Sequence, residues 1–210
     1  MTDPNYTGML LVIDRSGSMA RIRDDMVGGL TTMLATQAAE PGKLTVDIVT
    51  FDEEIEQQVS LGDPARVKIK LVPRGSTALY DAIGVAVSNY GQVLEAMAEE
   101  KRPGVVQVVV VTDGKENASK EYTADAVREI VKHQTDVYNW DFVYLGANQD
   151  AVLTSAALGF AADSAMTYAP AAANVDALTT SIGRYVTDVR KSAKKGFTED
   201  ERTEAIQTLR

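Results

Sequence analysis

A carboxylate and two hydroxyls lie close together in the sequence, directly after an apolar stretch near its start. Asp14, Ser16 and Ser18 follow the apolar run 9–13. Because such a run favours a buried strand, we expect these three side chains on the turn that ends it. Carboxylate and neutral oxygen donors suit a hard cation such as Mg²⁺. The pattern therefore predicts part of a metal site at this turn.

Two further segments repeat this arrangement. Thr77 precedes a stretch with helical apolar spacing, and Asp113 follows the apolar run 105–112. In an open α/β sheet, ligands bind beyond the carboxyl ends of the strands, at the point where the strand order reverses. If the strands that end at Asp14 and Asp113 are neighbours, their loops face each other and Thr77 enters from the start of an adjacent helix.

The elements that position these residues alternate between strand and helix. Runs rich in Val, Ile and aromatic residues predict strands at 8–13, 43–51, 105–112 and 140–145. Apolar residues at three- and four-residue spacing predict helices within 19–33, 79–97 and 123–133. The mixed polarity of 54–60 favours an antiparallel edge strand formed by a hairpin. We therefore expect an α/β, doubly wound, mostly parallel central sheet with one antiparallel edge strand and helices on both faces.

The last third of the chain carries a weaker pattern that is rich in alanine. It predicts a short helix near 149–158, a short strand at 164–168 and a longer helix with Asn174 as its N-cap. Thr198 and Glu201 have the spacing of a capping box for a final helix. We expect one domain over 1–196 and a short helical tail over 197–210.

The composition restricts the partners and the chemistry. The chain has 210 residues, a net charge of −9, no cysteine and one histidine. An acidic surface opposes binding to nucleic acid or to anionic membranes. Without cysteines there are no thiolate sites, and one histidine removes most zinc chemistry. No apolar run approaches the roughly 20 residues that span a bilayer, and no signal peptide is visible, so we expect a cytoplasmic protein.

The three segments, in this order, resemble the metal-ion-dependent adhesion site (MIDAS) of the von Willebrand factor A domain family. The resemblance implies that Ser16, Ser18 and Thr77 bind the metal directly, while Asp14 and Asp113 often act through water. The implied ion is Mg²⁺, with Mn²⁺ and Ca²⁺ as alternatives. Relatives use the open coordination position to capture an Asp or Glu side chain of a partner protein. The missing leader and cysteines favour an intracellular member of bacterial or phage type.

Three functions compete. The resemblance favours a metal-dependent protein-binding module for adhesion or assembly that is not an enzyme. A structural subunit, in which the metal only stabilises loops, is the first alternative, and a Mg²⁺-dependent phosphohydrolase is the second. Against the hydrolase, the chain has no phosphate-binding loop, and Ser16 stands where a dehalogenase-like enzyme has its second aspartate. Ser18 also lacks the Gly-x-Ser-x-Gly context of a nucleophile elbow.

Residues beside the site have simpler interpretations. Asp81 follows Thr77 by one helical turn, so it either orients Thr77 or the helix start, or lies on a solvated helix face. Glu116 and Asn117 follow the Asp113 turn and either line the rim of the site or lie in a solvated loop, which we favour. His133 is expected at the surface without a catalytic role, because it lacks an obvious nucleophile partner.

Overall fold

Strands and helices alternate along most of the chain, as the sequence predicts. The computed structural model describes residues 1–147 and 151–207. The strands are β1 (Asp3–Asp14), β2 (Lys43–Phe51), β3 (Ile55–Gly62), β4 (Pro103–Thr112), β5 (Asp141–Ala147) and β6 (Ala165–Tyr168). The helices are α1 (Arg23–Ala39), α2 (Leu79–Glu95), α3 (Ala124–Tyr138), α4 (Ala151–Ala157), α5 (Ala172–Arg190) and α6 (Glu199–Ile206).

The six strands form one sheet in the order β3-β2-β1-β4-β5-β6. Adjacent strands are parallel except β3, which pairs antiparallel with β2 at one edge. The strand order reverses between β1 and β4, which are direct neighbours, with Ile13 opposite Val111. The fold prediction is confirmed, and the loops after β1 and β4 lie side by side at the carboxyl edge of the sheet.

Helices cover both faces of the sheet, which explains why the central strands are apolar without alternation. Successive side chains of a strand point to opposite faces. In β1, Leu11 and Ile13 join a core with α1 and α5, whereas Leu10 and Val12 join a core with α2 and α3. All four of these side chains are at most 1% exposed. This two-sided packing fixes the end of β1, from which the site residues project.

Two predicted element boundaries differ from the structure. The pattern within 19–33 begins with a 3-10 turn at Gly17–Arg21, and α1 starts only at Arg23. The prediction of Asn174 as an N-cap is wrong, because α5 starts at Ala172 and Asn174 lies inside it. Its side-chain amide instead donates to the carbonyls of Glu204 and Gln207, each at 3.0 Å. The last carbonyls of a helix have no donor within the helix. Asn174 supplies donors to these carbonyls of α6, which explains its polar side chain better than local capping does.

The segment after α5 packs against the sheet domain. Phe197 is 6% exposed and stacks on Tyr185 with 5.0 Å between ring centroids. The amide of Ala169, just past β6, donates to the carbonyl of Ala205 at 2.8 Å. The predicted capping box of Thr198 and Glu201 is present at the start of α6. This helix therefore covers the outer edge of β6.

The short helix predicted near 149–158 is observed as α4, and its first two predicted residues lie outside the described residues. The strand predicted at 164–168 is observed as β6. Within the described part of the chain, no helix is long and apolar enough to cross a membrane.

Candidate metal centre

The five predicted site residues come from three loops at the carboxyl edge of the sheet. Asp14 ends β1, Asp113 follows β4, and Thr77 lies two residues before α2. Asp14, Ser16, Thr77 and Asp113 are buried, each at most 6% exposed, whereas Ser18 is exposed. Hence the site has a buried floor and opens to solvent beside Ser18.

Hydroxyl contacts join the loop after β1 to the loop after β4. The hydroxyl of Ser18 donates to Oδ1 of Asp113 at 2.5 Å. Ser16 and Ser18 share a hydrogen bond between their hydroxyls at 3.1 Å. Two loops that are 95 residues apart in sequence are thus connected through the side chains that the sequence singles out.

The carboxylate of Asp14 accepts hydrogen bonds from the loop after β1 and from the end of β4. Its Oδ1 accepts the amide N–H of Ser16 at 2.6 Å, and its Oδ2 accepts the hydroxyl of Thr112 at 2.6 Å. The sequence analysis missed Thr112. Its sequence signal is its position as the last residue of β4, directly before Asp113. Successive side chains of a strand point to opposite faces, so Thr112 and Asp113 point in different directions. Thr112 fixes the orientation of the buried carboxylate.

Gly114 allows Thr77 to reach the same point. A Cβ atom on Gly114 would lie 2.5 Å from Oγ1 of Thr77 and 3.4 Å from Oδ2 of Asp14. The first distance is shorter than a Cβ contact allows, so any side chain here would displace the Thr77 hydroxyl. Gly75 has φ of +64°, a left-handed conformation that favours glycine, and it turns the chain toward Thr77. The third segment therefore converges with the other two.

Burial makes the negative charge of Asp14 unfavourable. It raises the pKa of this carboxyl to about 6, against hydrogen bonds from Thr112 and Ser16 that lower it, and the negative charge of Asp113 adds to the rise. The ionised form thus lacks the positive charge that would stabilise it.

Asp113 also has a raised pKa. Burial raises its pKa, although the hydrogen bond from Ser18 and the positive charge of Arg21 act in the other direction. Its Oδ2 is a buried carboxylate oxygen without a hydrogen-bond partner among the described residues. An unpartnered buried carboxylate oxygen is costly, and a bound cation would satisfy it.

The donor set fits a hard divalent cation rather than a soft one. It consists of two carboxylates and three hydroxyls. Over residues 1–147 and 151–207, no group of three or more His, Cys, Asp or Glu side chains forms a metal cluster. Two carboxylates balance the charge of a divalent cation, and they leave no excess negative charge at the site. Ser16, Ser18, Thr77, Asp14 and Asp113 could together hold Mg²⁺ and leave room for a further oxygen ligand.

A buried ion pair fixes the loop after β1 from the other side. The Arg15 side chain is 7% exposed and donates from Nε to Oδ2 of Asp52 at 3.1 Å. Arg74 donates to the same oxygen at 2.7 Å. Burial raises the pKa of Asp52, but the bond from Arg74 and the Glu54 amide outweigh it, so the pKa is lowered overall. Asp52 therefore holds the loops around Arg15 and Arg74 together as a carboxylate.

The loop after Asp113 is partly exposed, as expected for Glu116 and Asn117, but it also contacts the start of α2. The Glu116 carboxylate accepts the amide of Tyr80 at 3.0 Å, and it also accepts N–H groups of its own loop. Asn117 is exposed but accepts the amide of Thr77 at 2.9 Å. Contacts across 36 and 40 residues leave no local signal that could have predicted them.

Asp81 orients the neighbouring loop rather than Thr77. It is 8% exposed, and its carboxylate accepts the amide N–H groups of three consecutive residues at 2.7 to 2.9 Å. The three donors are Lys120, Glu121 and Tyr122. Of its sequence interpretations, neither the solvated helix face nor the contact with Thr77 is observed.

The sequence also matches the model of a known protein family. The model of the von Willebrand factor type A domain matches residues 9–181. No curated protein sequence matches the chain.

Several solved structures share the fold. Proximal thread matrix protein 1 from the mussel byssus has a TM-score of 0.61 at 15% identity, over 86% of this chain and 46% of that one. Another structure of that protein has a zinc-occupied MIDAS motif. The ArnB paralog VWA2 from Sulfolobus acidocaldarius has a TM-score of 0.55 at 16% identity, over 90% of this chain and 45% of that one.

The von Willebrand factor domain of the type V pili tip protein Mfa5 from Porphyromonas gingivalis has a TM-score of 0.64 at 10% identity. This match covers 92% of the present chain and 98% of the other. The present chain spans less than half the length of the mussel and Sulfolobus chains. At these identities, the likeness to all three shows the fold alone.

Proposed function

The chain belongs to the von Willebrand factor type A domain family, and from this premise we propose that it is a metal-dependent protein-binding module. Ser16, Ser18 and Thr77 hold a divalent cation with Asp14 and Asp113 in support. The cation captures an Asp or Glu side chain of a partner protein. The observation that carries the proposal is the convergence of three separate loops, which places two carboxylates beside three hydroxyls.

The charge balance supports capture of a carboxylate. Three of the five donors are neutral hydroxyls, so a bound Mg²⁺ keeps affinity for one more anionic oxygen ligand. Ser18 is the exposed residue of the five and marks the side from which a partner side chain reaches the ion. Mn²⁺ and Ca²⁺ remain the alternatives to Mg²⁺, since the same oxygen donors accept them.

Burial of Asp14 opposes the hydrolase alternative. An aspartyl nucleophile must reach its substrate, but Asp14 is 0% exposed and each of its oxygens accepts a hydrogen bond. His133 contacts Tyr138 at the end of α3, at 5.6 Å between ring centroids. We therefore propose binding without catalysis.

The partner we propose is a protein. The net charge of −9 opposes nucleic acid and anionic membrane surfaces. A location in the cytoplasm stays a prediction from the sequence.

The test compares partner capture with and without metal. Immobilised protein is exposed to an extract in Mg²⁺ or in EDTA, in parallel with Thr77→Ala, and a captured protein is then rebound in purified form. We expect a partner whose binding is lost in EDTA and in the variant, and whose own Asp or Glu is needed. A purified partner that binds equally in EDTA and to Thr77→Ala would favour the structural subunit, in which the metal only stabilises loops.

A further inference from the structure

We propose that Asn117 is a positioning residue that sets Thr77 for metal binding, an inference that rests on the proposed function. The two residues contact each other through backbone and side chain. The amide of Thr77 donates to Oδ1 of Asn117 at 2.9 Å, and the carbonyl of Thr77 accepts the amide of Asn117 at 3.0 Å. A third bond comes from the amide of Ala118 at 3.2 Å. Both peptide groups of Thr77 are thus held by the loop after β4.

Thr77 needs this support because the helix that follows it does not provide it. The N-cap of α2 is Ala78, which offers no side-chain acceptor. The first amides of a helix have no partner within the helix. Here the loop after Asp113 supplies acceptors instead, with Glu116 bound to the amide of Tyr80 and Ser119 to the amide of Asp81. Among these acceptors, Asn117 is the one that bonds to Thr77 itself.

The contact links two of the metal-binding segments directly. Asn117 lies four residues after Asp113, and its bonds to Thr77 set the distance between the loop after β4 and the start of α2. Thr77 is 3% exposed, so its hydroxyl has little freedom once its backbone is fixed. Outer hydrogen bonds of this kind orient metal ligands, and their loss typically weakens metal affinity by about 10- to 100-fold.

Asn117 itself is suited to a clean test. Its side chain is exposed, and no hydrogen bond from its amide NH₂ group to another described residue is observed. Removing the side chain therefore leaves the two cores untouched. A loss of metal affinity that exceeds the loss in a variant of similar stability separates a positioning role from a merely structural one.

The test is the affinity of metal-stripped protein for Mn²⁺, measured by calorimetry in four variants beside the wild type. We expect Asn117→Ala to raise the Kd about tenfold or more, with a melting temperature no lower than that of Ser119→Ala. Asn117→Asp keeps the acceptor for the Thr77 amide and should restore most of the affinity. Lys115→Gln removes one positive charge from the same exposed loop and controls for the added charge of the aspartate.

Ser119→Ala is the matched control for capping, since it removes the bonds of the Ser119 hydroxyl to the Asp81 amide and to Glu116 but keeps the hydrogen bonds of Thr77. Its Kd should equal that of the wild type. The amide resonance of Thr77 in nuclear magnetic resonance spectra should shift in Asn117→Ala and return in Asn117→Asp.

The outcomes separate this inference from the function on which it rests. Wild-type binding that Asn117→Ala leaves undiminished would overturn the role of Asn117 alone. Equal weakening in Asn117→Ala and Ser119→Ala would also overturn it, because general loop stability would then be the cause. No Mn²⁺ binding by the wild type would overturn the proposed function together with this inference.

Discussion

At the scale of single residues, the site depends on oxygen atoms that are buried at an electrostatic cost. The carboxyl of Asp14 has a pKa of about 6 against its usual 3.8, and Oδ2 of Asp113 has no partner among the described residues. Natural proteins rarely keep such groups without a function that needs them. A cation that binds here relieves both costs at once, which is the physical reason for expecting one.

The pKa of Asp14 predicts a pH dependence for the metal-free protein. A folded-state pKa above the unfolded one favours the protonated form, so this stability is complete below pH 3.8 and is lost as the pH rises through about 6. The loss is on the order of 2–3 kcal/mol. Urea unfolding at intervals between pH 4 and about 7 measures it.

The Asp14→Asn variant serves as the control, since it removes the titrating group. The difference in unfolding free energy between wild type and variant should change across this pH range. A difference that stays constant would show that Asp14 keeps an ordinary pKa in the folded protein.

Residue type and order were sufficient to predict Asp14, Ser16, Ser18, Thr77 and Asp113 as neighbours. They were insufficient for Thr112 and Asn117, whose contacts with the site depend on tertiary structure. Thr and Asn are common in loops for local reasons, so nothing in their own sequence neighbourhood distinguishes a loop residue from one that holds a ligand.

At the scale of secondary-structure elements, the carboxyl ends of β1 and β4 and the start of α2 position the site. The parallel strands were predictable because continuous apolar runs indicate burial on both faces. Element ends were less predictable, as Asn174 shows. Its sequence context suits an N-cap, but the carbonyls of α6 need a donor, and the tertiary contact determines its role.

The segment after α5 gives a prediction at this scale. Phe197 is 6% exposed and stacks on Tyr185, so truncation to Ala should lower the free energy of unfolding by about 3 kcal/mol. Ile206, in the same segment, is 52% exposed, and Ile206→Ala should change stability by less than about 0.5 kcal/mol. Chemical denaturation of both variants provides the comparison.

This comparison also tests the division of the chain. The boundary between a domain over 1–196 and a tail over 197–210 stays a prediction from the sequence. An appendage that folds apart from the sheet would leave the stability of Phe197→Ala equal to that of Ile206→Ala. A large difference would make the segment around Phe197 part of the domain's core.

At the scale of the whole molecule, one sheet with two apolar cores brings distant segments of the chain together at one edge. The order β3-β2-β1-β4-β5-β6 places the reversal between β1 and β4, and ligands of open α/β sheets bind at such a point. The convergence of the loops was predictable, but the lack of space at Gly114 is not visible in sequence, because it depends on how three segments pack. Gly114 is therefore the most direct probe of the assembled site.

The central claim is that these three segments together bind one divalent cation, and a calorimetric titration of metal-stripped protein with Mg²⁺ and Mn²⁺ tests it. Gly114→Ala places a methyl group 2.5 Å from the Thr77 hydroxyl, whereas Gly28→Ala on α1 meets nothing within 4 Å and is the matched control. We predict saturable binding to the wild type and to Gly28→Ala, and a Kd at least about tenfold higher in Gly114→Ala. Absence of saturable binding to the wild type, or equal affinity in all three proteins, would contradict the claim.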